Sequence, residues 1–258
     1  MPKFAANLTM LFNEVDFLRR FEAAASAGFQ AVEYLFPYAY PKDELAQLLQ
    51  RHELEQVLFN LPAGDWSKGE RGIACLPDRI QEFRDGVDLA IEYAAALDCS
   101  RLNCLAGIAP ANVSADRLRA TLVDNVRYAA ESLQRAGIRL LVEPINTFDI
   151  PGFFLHGTKQ ALELFASVDC GNVFLQYDIY HMQRMEGELA GTLEANLSRI
   201  AHLQIADNPG RNEPGTGEIN FPFLFDWIDS LGYEGWIGCE YKPKGTTTSG
   251  LSWMSAIK

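Results

Sequence analysis

Amphipathic segments of helical length alternate along this chain with short apolar runs. Each such segment is followed by a turn with a small residue or glycine, and then by an apolar run that ends in a polar residue; the segments are 17–27, 118–135, 161–168 and 223–231. This plan predicts helices that return to buried strands. Ser114 and Thr158 are candidate N-caps, and Gly28, Gly137 and Gly232 stand where helices commonly end.

Eight short apolar runs are candidate strands: 4–7, 31–33, 54–60, 101–105, 139–143, 173–178, 200–206 and 235–240. Each except the last precedes a connection of helical length, and about 250 residues is the usual size of a (β/α)8 TIM barrel. No linker divides the chain, so we expect one α/β domain over residues 1–258. A doubly wound sheet that binds a dinucleotide needs a glycine-rich turn after its first strand, and Leu-Thr-Met-Leu-Phe follows Asn7 instead.

Charge narrows the classes of partner. The 258 residues include 22 Lys and Arg against 34 Asp and Glu, a net charge of −12. This balance opposes binding to nucleic acid or to an anionic membrane surface.

The five cysteines lack the two-residue spacing of zinc or redox motifs, which predicts reduced thiols. Without an apolar segment of signal-peptide or membrane-span length, we expect a cytoplasmic protein.

The last four predicted strands end at or near polar residues. These are Glu143, Asp178, Gln204 and Glu240. In a barrel such residues converge on one mouth, where three carboxylates repel one another unless a cation offsets their charge. Carboxylate and amide oxygens suit a hard divalent ion, Mg²⁺ or Mn²⁺ first and Co²⁺ or Ni²⁺ as alternatives. The competing interpretation is that these acidic residues are solvated strand ends or cap neighbouring helices.

Several longer motifs carry a family resemblance over nearly the whole chain. They are Phe-Asn-Leu-Pro-Ala-Gly-Asp-Trp at 59–66, Gly-Glu-Arg-Gly-Ile-Ala-Cys at 69–75, Val-Glu-Pro-Ile-Asn at 142–146, Gln-Tyr-Asp-Ile-Tyr-His-Met-Gln-Arg-Met-Glu-Gly at 176–187, His-Leu-Gln-Ile-Ala-Asp at 202–207, Glu-Pro-Gly-Thr-Gly-Glu-Ile-Asn at 213–220 and Cys-Glu-Tyr-Lys-Pro at 239–243. The chain resembles the hydroxypyruvate isomerases. These belong to the xylose-isomerase-like barrel superfamily, which also contains ketose epimerases and abasic-site endonucleases.

The resemblance implies interconversion of hydroxypyruvate and 2-hydroxy-3-oxopropanoate (tartronate semialdehyde). It assigns Glu143 and Glu240 as the acid/base pair that moves a proton through an enediolate. It also places Glu143, Asp178, Gln204 and Glu240 around a divalent metal. Epimerases of the superfamily usually have histidine at position 204, so the amide weakens the case for sugar epimerisation and for Zn²⁺.

Other polar residues near the predicted mouth are candidates for substrate binding. His181 follows Asp178 by three residues, within reach of a substrate oxygen, although a packed loop histidine is equally compatible with the pattern. Lys242 and Arg211 are candidates to bind the carboxylate of a 2-oxo acid, or are exposed surface charges. Asn60 ends the third strand and is expected to line the pocket.

Three further features adjoin this mouth. Glu33 ends the second strand and is expected to line the pocket. His202 shares a strand face with Gln204 and is a weaker candidate than His181, as a residue that supports the site. The long segment 60–77 contains Trp66 and is either a lid or a cover over a neighbouring subunit.

Three competing functions share this fold. An abasic-site endonuclease needs a basic face, which the charge opposes. An isomerase or epimerase of a larger keto-sugar or keto-sugar acid would use the same carboxylates and metal. A non-catalytic binding barrel would have no need of both Glu143 and Glu240. We therefore expect a small 2-oxo acid as the partner, and a homo-oligomer, either dimer or tetramer, is compatible with the sequence.

Overall fold

Parallel strands close into a barrel in this computed structural model, which describes residues 2–256. Within that range the strands are β1 (Lys3–Asn7), β2 (Ala31–Glu33), β3 (Glu55–Asn60), β4 (Arg101–Cys104), β5 (Arg139–Val142), β6 (Val173–Asp178), β7 (Ile200–Ile205) and β8 (Trp236–Cys239). Neighbouring strands follow chain order, and β1 pairs with β8 to close the sheet. The predicted (β/α)8 TIM barrel is confirmed, and each strand boundary lies within one residue of its prediction.

Helices surround the barrel. They are α1 (Arg20–Ser26), α2 (Lys42–Arg51), α3 (Ile80–Leu97), α4 (Ala115–Arg135), α5 (Thr158–Val168), α6 (Ile179–Met185), α7 (Leu189–Asn196) and α8 (Phe221–Ser230). Both α6 and α7 follow β6, and a final 3-10 segment covers Thr248–Ala256. None of the helices in the described range is long and apolar enough to span a bilayer.

Helix ends agree only in part with the predicted caps. The Ser114 hydroxyl accepts the N–H of Arg117 at the start of α4, as expected. The prediction that Thr158 is an N-cap is wrong, because α5 already begins at Thr158 and Gly157 is the capping residue. The N–H of Thr158 instead donates to Glu186 Oε1 at 2.6 Å, so a carboxylate from another segment satisfies this helix start.

The main core lies between the helices and the outside of the barrel. An apolar stripe on α3 contributes Phe83, Val87, Ala90 and Ala94, all buried, with Ile91 packed at its edge. Burying one such large apolar side chain stabilises the fold by about 1.5–3 kcal/mol. All five cysteines, each within the described part of the chain, are free thiols.

The segment after β3 folds down over the carboxyl ends of the strands. A short 3-10 helix spans Trp66–Lys68, and Gly72 forms a bridge with Ala106 after β4. Gly72 has a φ of +114°, and a Cβ there would lie 2.4 Å from the carbonyl oxygen of Leu105. Glycine is therefore needed for this close approach, which brings Trp66 to the edge of the barrel mouth.

Candidate active site

A cavity of about 700 Å³ opens at the carboxyl ends of the strands. Its walls include six of the sequence-predicted residues: Asn60, Glu143, His181, Arg211, Glu240 and Lys242. Glu143 and Glu240 are the first residues beyond β5 and β8, while Asp178 and Gln204 lie on β6 and β7 and are fully buried. The residues predicted to share one mouth of the barrel do so.

Asp178 is held by the start of the helix that follows it. Its Oδ1 accepts the N–H groups of Tyr180 at 2.8 Å and His181 at 3.4 Å, so Asp178 is the N-cap of α6. Its Oδ2 is buried without a hydrogen-bond partner among the described residues. Arg211 Nη2 lies 3.7 Å from this oxygen. Burial raises the pKa of Asp178 to about 6, although Arg211 opposes the shift.

His181 points a hydrogen-bond donor at the carboxylates. The side-chain nitrogen of Asn146 lies 2.6 Å from His181 Nδ1 and also donates to Asp149, which makes Nδ1 the acceptor. The proton of a neutral imidazole then resides on Nε2, 3.9 Å from Oε1 of Glu143. Burial, reinforced by Arg211, lowers the pKa of His181 well below its ordinary value. The ring is therefore a neutral donor at the cavity wall.

Arg211 inserts its guanidinium among the carboxylates. Its Nη2 lies 2.5 Å from Oε1 of Glu240, and its backbone carbonyl accepts the N–H of Lys242 at 2.7 Å. Asp207 shapes the loop around it by accepting three backbone N–H groups, from Gly215, Gly217 and Ile219. Burial raises the pKa of Glu240 to about 8, with Arg211 acting in the opposite direction.

Glu143 is oriented by a pair of asparagines. Asn103 Nδ2 donates to Glu143 Oε2 and to Asn60 Oδ1, both at 3.1 Å. Asn60 thus lines the cavity and also contacts the residue that holds Glu143. Burial, together with the charges of Glu240 and Asp178, raises the pKa of Glu143 well above its ordinary value. A carboxyl group with a pKa raised in this way can serve as an acid as well as a base.

Glu143, Asp178 and His181 bring potential metal-ligand atoms into one cluster, although the Nε2–H of His181 makes that ring a donor rather than a ligand. One ligand atom from each lies within 4.8 Å of the others, and all three side chains are buried. Two of these residues belong to the predicted metal set, and His181 was predicted to bind substrate. Oδ2 of Asp178 lies 3.5 Å from His181 Nε2 and 3.7 Å from Arg211 Nη2 but has no hydrogen-bond partner among the described residues. It fits a hard cation, since a buried carboxylate oxygen without a hydrogen bond is costly. Oε1 of Glu240, also predicted as a ligand, contacts Arg211.

Gln204 has a different environment from the one predicted. Its Nε2 donates to Glu33 Oε1 at 2.8 Å and to Glu240 Oε2 at 2.7 Å, while its Oε1 accepts from Gln176 at 2.7 Å. An amide between two carboxylates must turn its NH₂ toward them, because its oxygen would repel theirs. As folded here, Gln204 is a donor to carboxylates, and metal ligation through its oxygen would require that oxygen to leave Gln176.

The sequence analysis did not identify several residues of the site. Asn7 and Asn103 lie at the carboxyl ends of β1 and β4, so the rule applied to the last four strands would have found them in the first half. Arg71 stacks over the Trp66 ring at 4.0 Å, and Arg184 lies 2.7 Å from an oxygen of Asp149 at the rim. Arg71 and Arg184 lie in loop and helix segments with no strand-end signal.

Comparison with known proteins places this site in a family. Residues 21–257 match the profile of a family described as xylose isomerase-like TIM barrel. Hydroxypyruvate isomerase of Escherichia coli K12 is 59% identical over 258 residues, which cover 100% of both chains. The chain belongs to the hydroxypyruvate isomerase family. This membership makes it an isomerase.

Two other proteins are similar to this member of the hydroxypyruvate isomerase family over nearly the whole chain. A 2-oxo-tetronate isomerase of Cupriavidus necator is 46% identical over 98% of both chains. A crystal structure described as an AP endonuclease, family 2, from Brucella melitensis has a TM-score of 0.97 and 48% identity, with full coverage of both chains. The barrel is therefore shared over the full length of the Brucella melitensis protein.

Proposed function

We propose that this isomerase interconverts hydroxypyruvate and tartronate semialdehyde. The observation that carries the proposal is the pair of buried carboxyl groups, Glu143 and Glu240, that border one cavity and have raised pKa values. The named activity of the 59% identical relative supports the same substrate. More broadly, the named relatives support an isomerase of small 2-oxo acids.

The reaction requires two proton transfers at neighbouring carbons. A carboxylate removes a proton from the hydroxyl-bearing carbon, and the electrons of that C–H bond form the double bond of an enediolate. The other carboxyl group then returns a proton to the former carbonyl carbon, while the oxygens exchange their proton. Glu143 and Glu240 supply this base and acid, because raised pKa values allow one to be protonated while the other is ionised.

His181 stabilises the negative charge that develops on oxygen. Its Nε2–H faces the carboxylate cluster from the cavity wall, and the lowered pKa keeps the ring neutral at the pH of the cell. A neutral imidazole can donate a hydrogen bond to an enediolate oxygen without adding a second acidic proton to the site. Asn146 maintains this tautomer from the other side of the ring.

A divalent ion, Mg²⁺ or Mn²⁺, fits the same cluster. Glu143 and Asp178 would hold it, since Oδ2 of Asp178 is buried without a hydrogen-bond partner among the described residues. Glu240 and Gln204 are the other predicted ligands, but Oε1 of Glu240 contacts Arg211 and Oε1 of Gln204 accepts a hydrogen bond from Gln176. Such an ion supplies Lewis-acid polarisation of the substrate carbonyl. Oδ1 of Asp178 stays bonded to the start of α6, which aims Oδ2 into the cluster.

Cations at the cavity wall account for binding of the substrate carboxylate. Arg211 is partly buried, and its Nε has no hydrogen-bond partner among the described residues, so donors remain after its contact with Glu240. Lys242 is exposed at the rim and forms no ion pair with any residue in the described range. We assign Arg211 and Lys242 to this carboxylate.

A four-carbon 2-oxo acid is the second candidate substrate. The cavity volume of about 700 Å³ exceeds what a three-carbon acid fills, and comparable cavities bury much larger ligands. Relatives named 2-oxo-tetronate isomerases share 46% identity with this chain. By contrast, the net charge of −12 and a mouth centred on carboxylates oppose the DNA substrate of an endonuclease.

Proton NMR in D₂O tests these assignments. The protein, with and without Mn²⁺, is incubated with hydroxypyruvate and, separately, with 2-oxo-tetronate. We expect tartronate semialdehyde with deuterium at carbon, and a loss of at least about 100-fold in rate in Glu143→Gln and Glu240→Gln. Product without deuterium would indicate a hydride shift or a transferred proton that is shielded from solvent. Conversion of 2-oxo-tetronate alone would select the second substrate, and full activity of either variant would overturn the acid/base pair.

A further inference from the structure

A second buried carboxylate group lies directly beneath the acid/base pair. Glu33, at the end of β2, is 1% exposed and points into the barrel. It accepts hydrogen bonds from Asn7 Nδ2 at 2.9 Å and from Gln204 Nε2 at 2.8 Å, and His202 Nε2 lies 2.6 Å from its other oxygen. Partners on β1 and β7 thus surround a group that the proposed chemistry does not use.

The two amides that contact Glu33 also contact Glu240. Asn7 Nδ2 lies 3.1 Å from Glu240 Oε2, and Gln204 Nε2 lies 2.7 Å from the same oxygen. Each NH₂ group therefore has one carboxylate on either side and gives one N–H to each. Both donors converge on Oε2 of Glu240, while Oε1 faces Arg211.

The carbonyl ends of these amides are held as well. The N–H of Thr9 donates to Asn7 Oδ1 at 3.1 Å, and Gln176 Nε2 donates to Gln204 Oε1 at 2.7 Å. Reversing either amide would place its oxygen against two carboxylates and its NH₂ against another donor. The carboxyl group of Glu33 is thus one of the two acceptors toward which both amides turn their NH₂ groups.

Space for Glu33 comes from a glycine on β8. A Cβ added at Gly238 would lie 2.3 to 2.5 Å from three atoms of the Glu33 carboxyl group, far inside van der Waals contact. Gly238 pairs in register with Gln204 and precedes Glu240 by two residues. The strand that ends at the acid/base residue therefore has a gap that the Glu33 carboxylate fills.

We propose that Glu33 is a positioning residue for Glu240. By orienting Asn7 and Gln204, it fixes Oε2 of Glu240 as a hydrogen-bond acceptor and so holds in place the carboxyl group that exchanges a proton with the substrate. This inference rests on the proposed function, in which Glu240 is one of the two proton-transfer groups. It assigns Glu33 no contact with the substrate, so its loss should lower kcat and leave KM unchanged.

Two variants disturb the contact in different ways. Glu33→Gln keeps the shape but sets a donor against the donors of Asn7, Gln204 or His202, and Gly238→Ala displaces the intact carboxylate. Each should lower kcat by about 10–100-fold, as loss of supporting hydrogen bonds does at comparable sites. KM should stay within about twofold. In D₂O, each should slow the same exchange step that Glu240→Gln slows, while the step served by Glu143 continues.

A matched control separates positioning from general loss of stability. Asn172 donates hydrogen bonds to the carbonyls of Ala130 and Ile138 at the opposite end of the barrel, so Asn172→Ala removes an amide far from the cavity. This variant should lower the melting temperature and keep wild-type kcat. If Glu33→Gln and Gly238→Ala keep wild-type kcat, or slow both exchange steps equally, Glu33 is only a structural residue and the proposal is overturned.

Failure of the proposed function gives a different result. If the wild-type protein converts neither hydroxypyruvate nor 2-oxo-tetronate, the function is wrong, and a crystal structure of Glu33→Gln still decides the positioning role. We expect Asn7 Nδ2 or Gln204 Nε2 to leave Oε2 of Glu240 in that structure. Unchanged contacts from both amides would overturn the proposal whatever the substrate.

Discussion

Arg211 Nη2 lies 2.5 Å from Glu240 Oε1, and the same nitrogen lies 3.7 Å from Asp178 Oδ2. A cation supplied by the loop after β7 therefore stands among the carboxylates at the barrel mouth. Burial lowers the pKa of Arg211, but the charges of Glu240 and Asp178 raise it by more. Arg211 therefore keeps its positive charge. It offsets part of the repulsion for which the sequence alone suggested a metal.

Removing this cation should shift the pH dependence of the reaction. Burial sets the pKa of Glu240 at about 8 against the opposing effect of Arg211, so Arg211→Met should raise that pKa further. The rate at which an ionised Glu240 accepts a proton then reaches its plateau at higher pH. The dependence of kcat/KM on pH between 5.5 and 9.5 measures the midpoint of this rise.

Arg184→Met provides the comparison, because Arg184 pairs with Asp149 at the rim and does not contact Glu240. Its profile should keep the wild-type midpoint. A midpoint that moves to lower pH in Arg211→Met would contradict the assignment of Glu240 as a titrating proton acceptor.

Stability of the metal-free protein should fall as the pH rises. Burial raises the pKa of Glu240 from its ordinary 4.5 to about 8 in the folded state. Between those values the folded protein binds more protons than the unfolded chain, so this group's contribution is complete below about pH 4.5 and is lost by about pH 8. The slope is at most about 1.4 kcal/mol per pH unit for one group. Urea unfolding with a chelator at pH 6 and 8 measures it, and Glu240→Gln should flatten the slope.

Metal binding should depend on one oxygen of Asp178. Asp178→Asn keeps Oδ1, which accepts the N–H groups of Tyr180 and His181 at the start of α6, and replaces the unpaired Oδ2 with an amide nitrogen. Mn²⁺ at about 100 times its Kd stabilises a protein by about 2.7 kcal/mol, a rise of several degrees in Tm. We expect this rise in the wild type and its loss in Asp178→Asn.

Asp65 offers the control for that experiment, because it caps the short helix Trp66–Lys68 through the same kind of contact and is not part of the cluster. Asp65→Asn should keep the full response to Mn²⁺. An equal response in Asp178→Asn would contradict the proposed metal site.

Lys242 should affect substrate binding more than turnover. A charged hydrogen bond to the substrate carboxylate contributes about 1.5–3 kcal/mol, so Lys242→Ala should raise KM by at least about 10-fold with a smaller change in kcat. Lys244 is also exposed but does not line the cavity, and Lys244→Ala should leave KM unchanged. Equal KM values for the two variants would remove Lys242 from the carboxylate site.

The barrel and the location of its site could be predicted from local sequence. Each strand was visible as an apolar run bounded by a turn, because a buried parallel strand needs apolar side chains on both faces. Polar residues that end such runs, Glu143, Asp178 and Glu240 among them, must lie at one mouth once the strands are parallel. The prediction of Thr158 as an N-cap was wrong, because the carboxylate of Glu186, directly after α6, accepts the hydrogen bond at the start of α5.

Roles within the site were decided only by tertiary structure. Gln204 became a donor because the carboxylates of Glu33 and Glu240, from β2 and the end of β8, reach its NH₂ across the barrel interior. Arg211 joined the cluster through a loop held by Asp207, and Gly238 matters because Glu33 fills the space above it. Periodicity reports which face a residue lies on, whereas the energy of a buried polar group depends on the charges that other strands bring within hydrogen-bond distance.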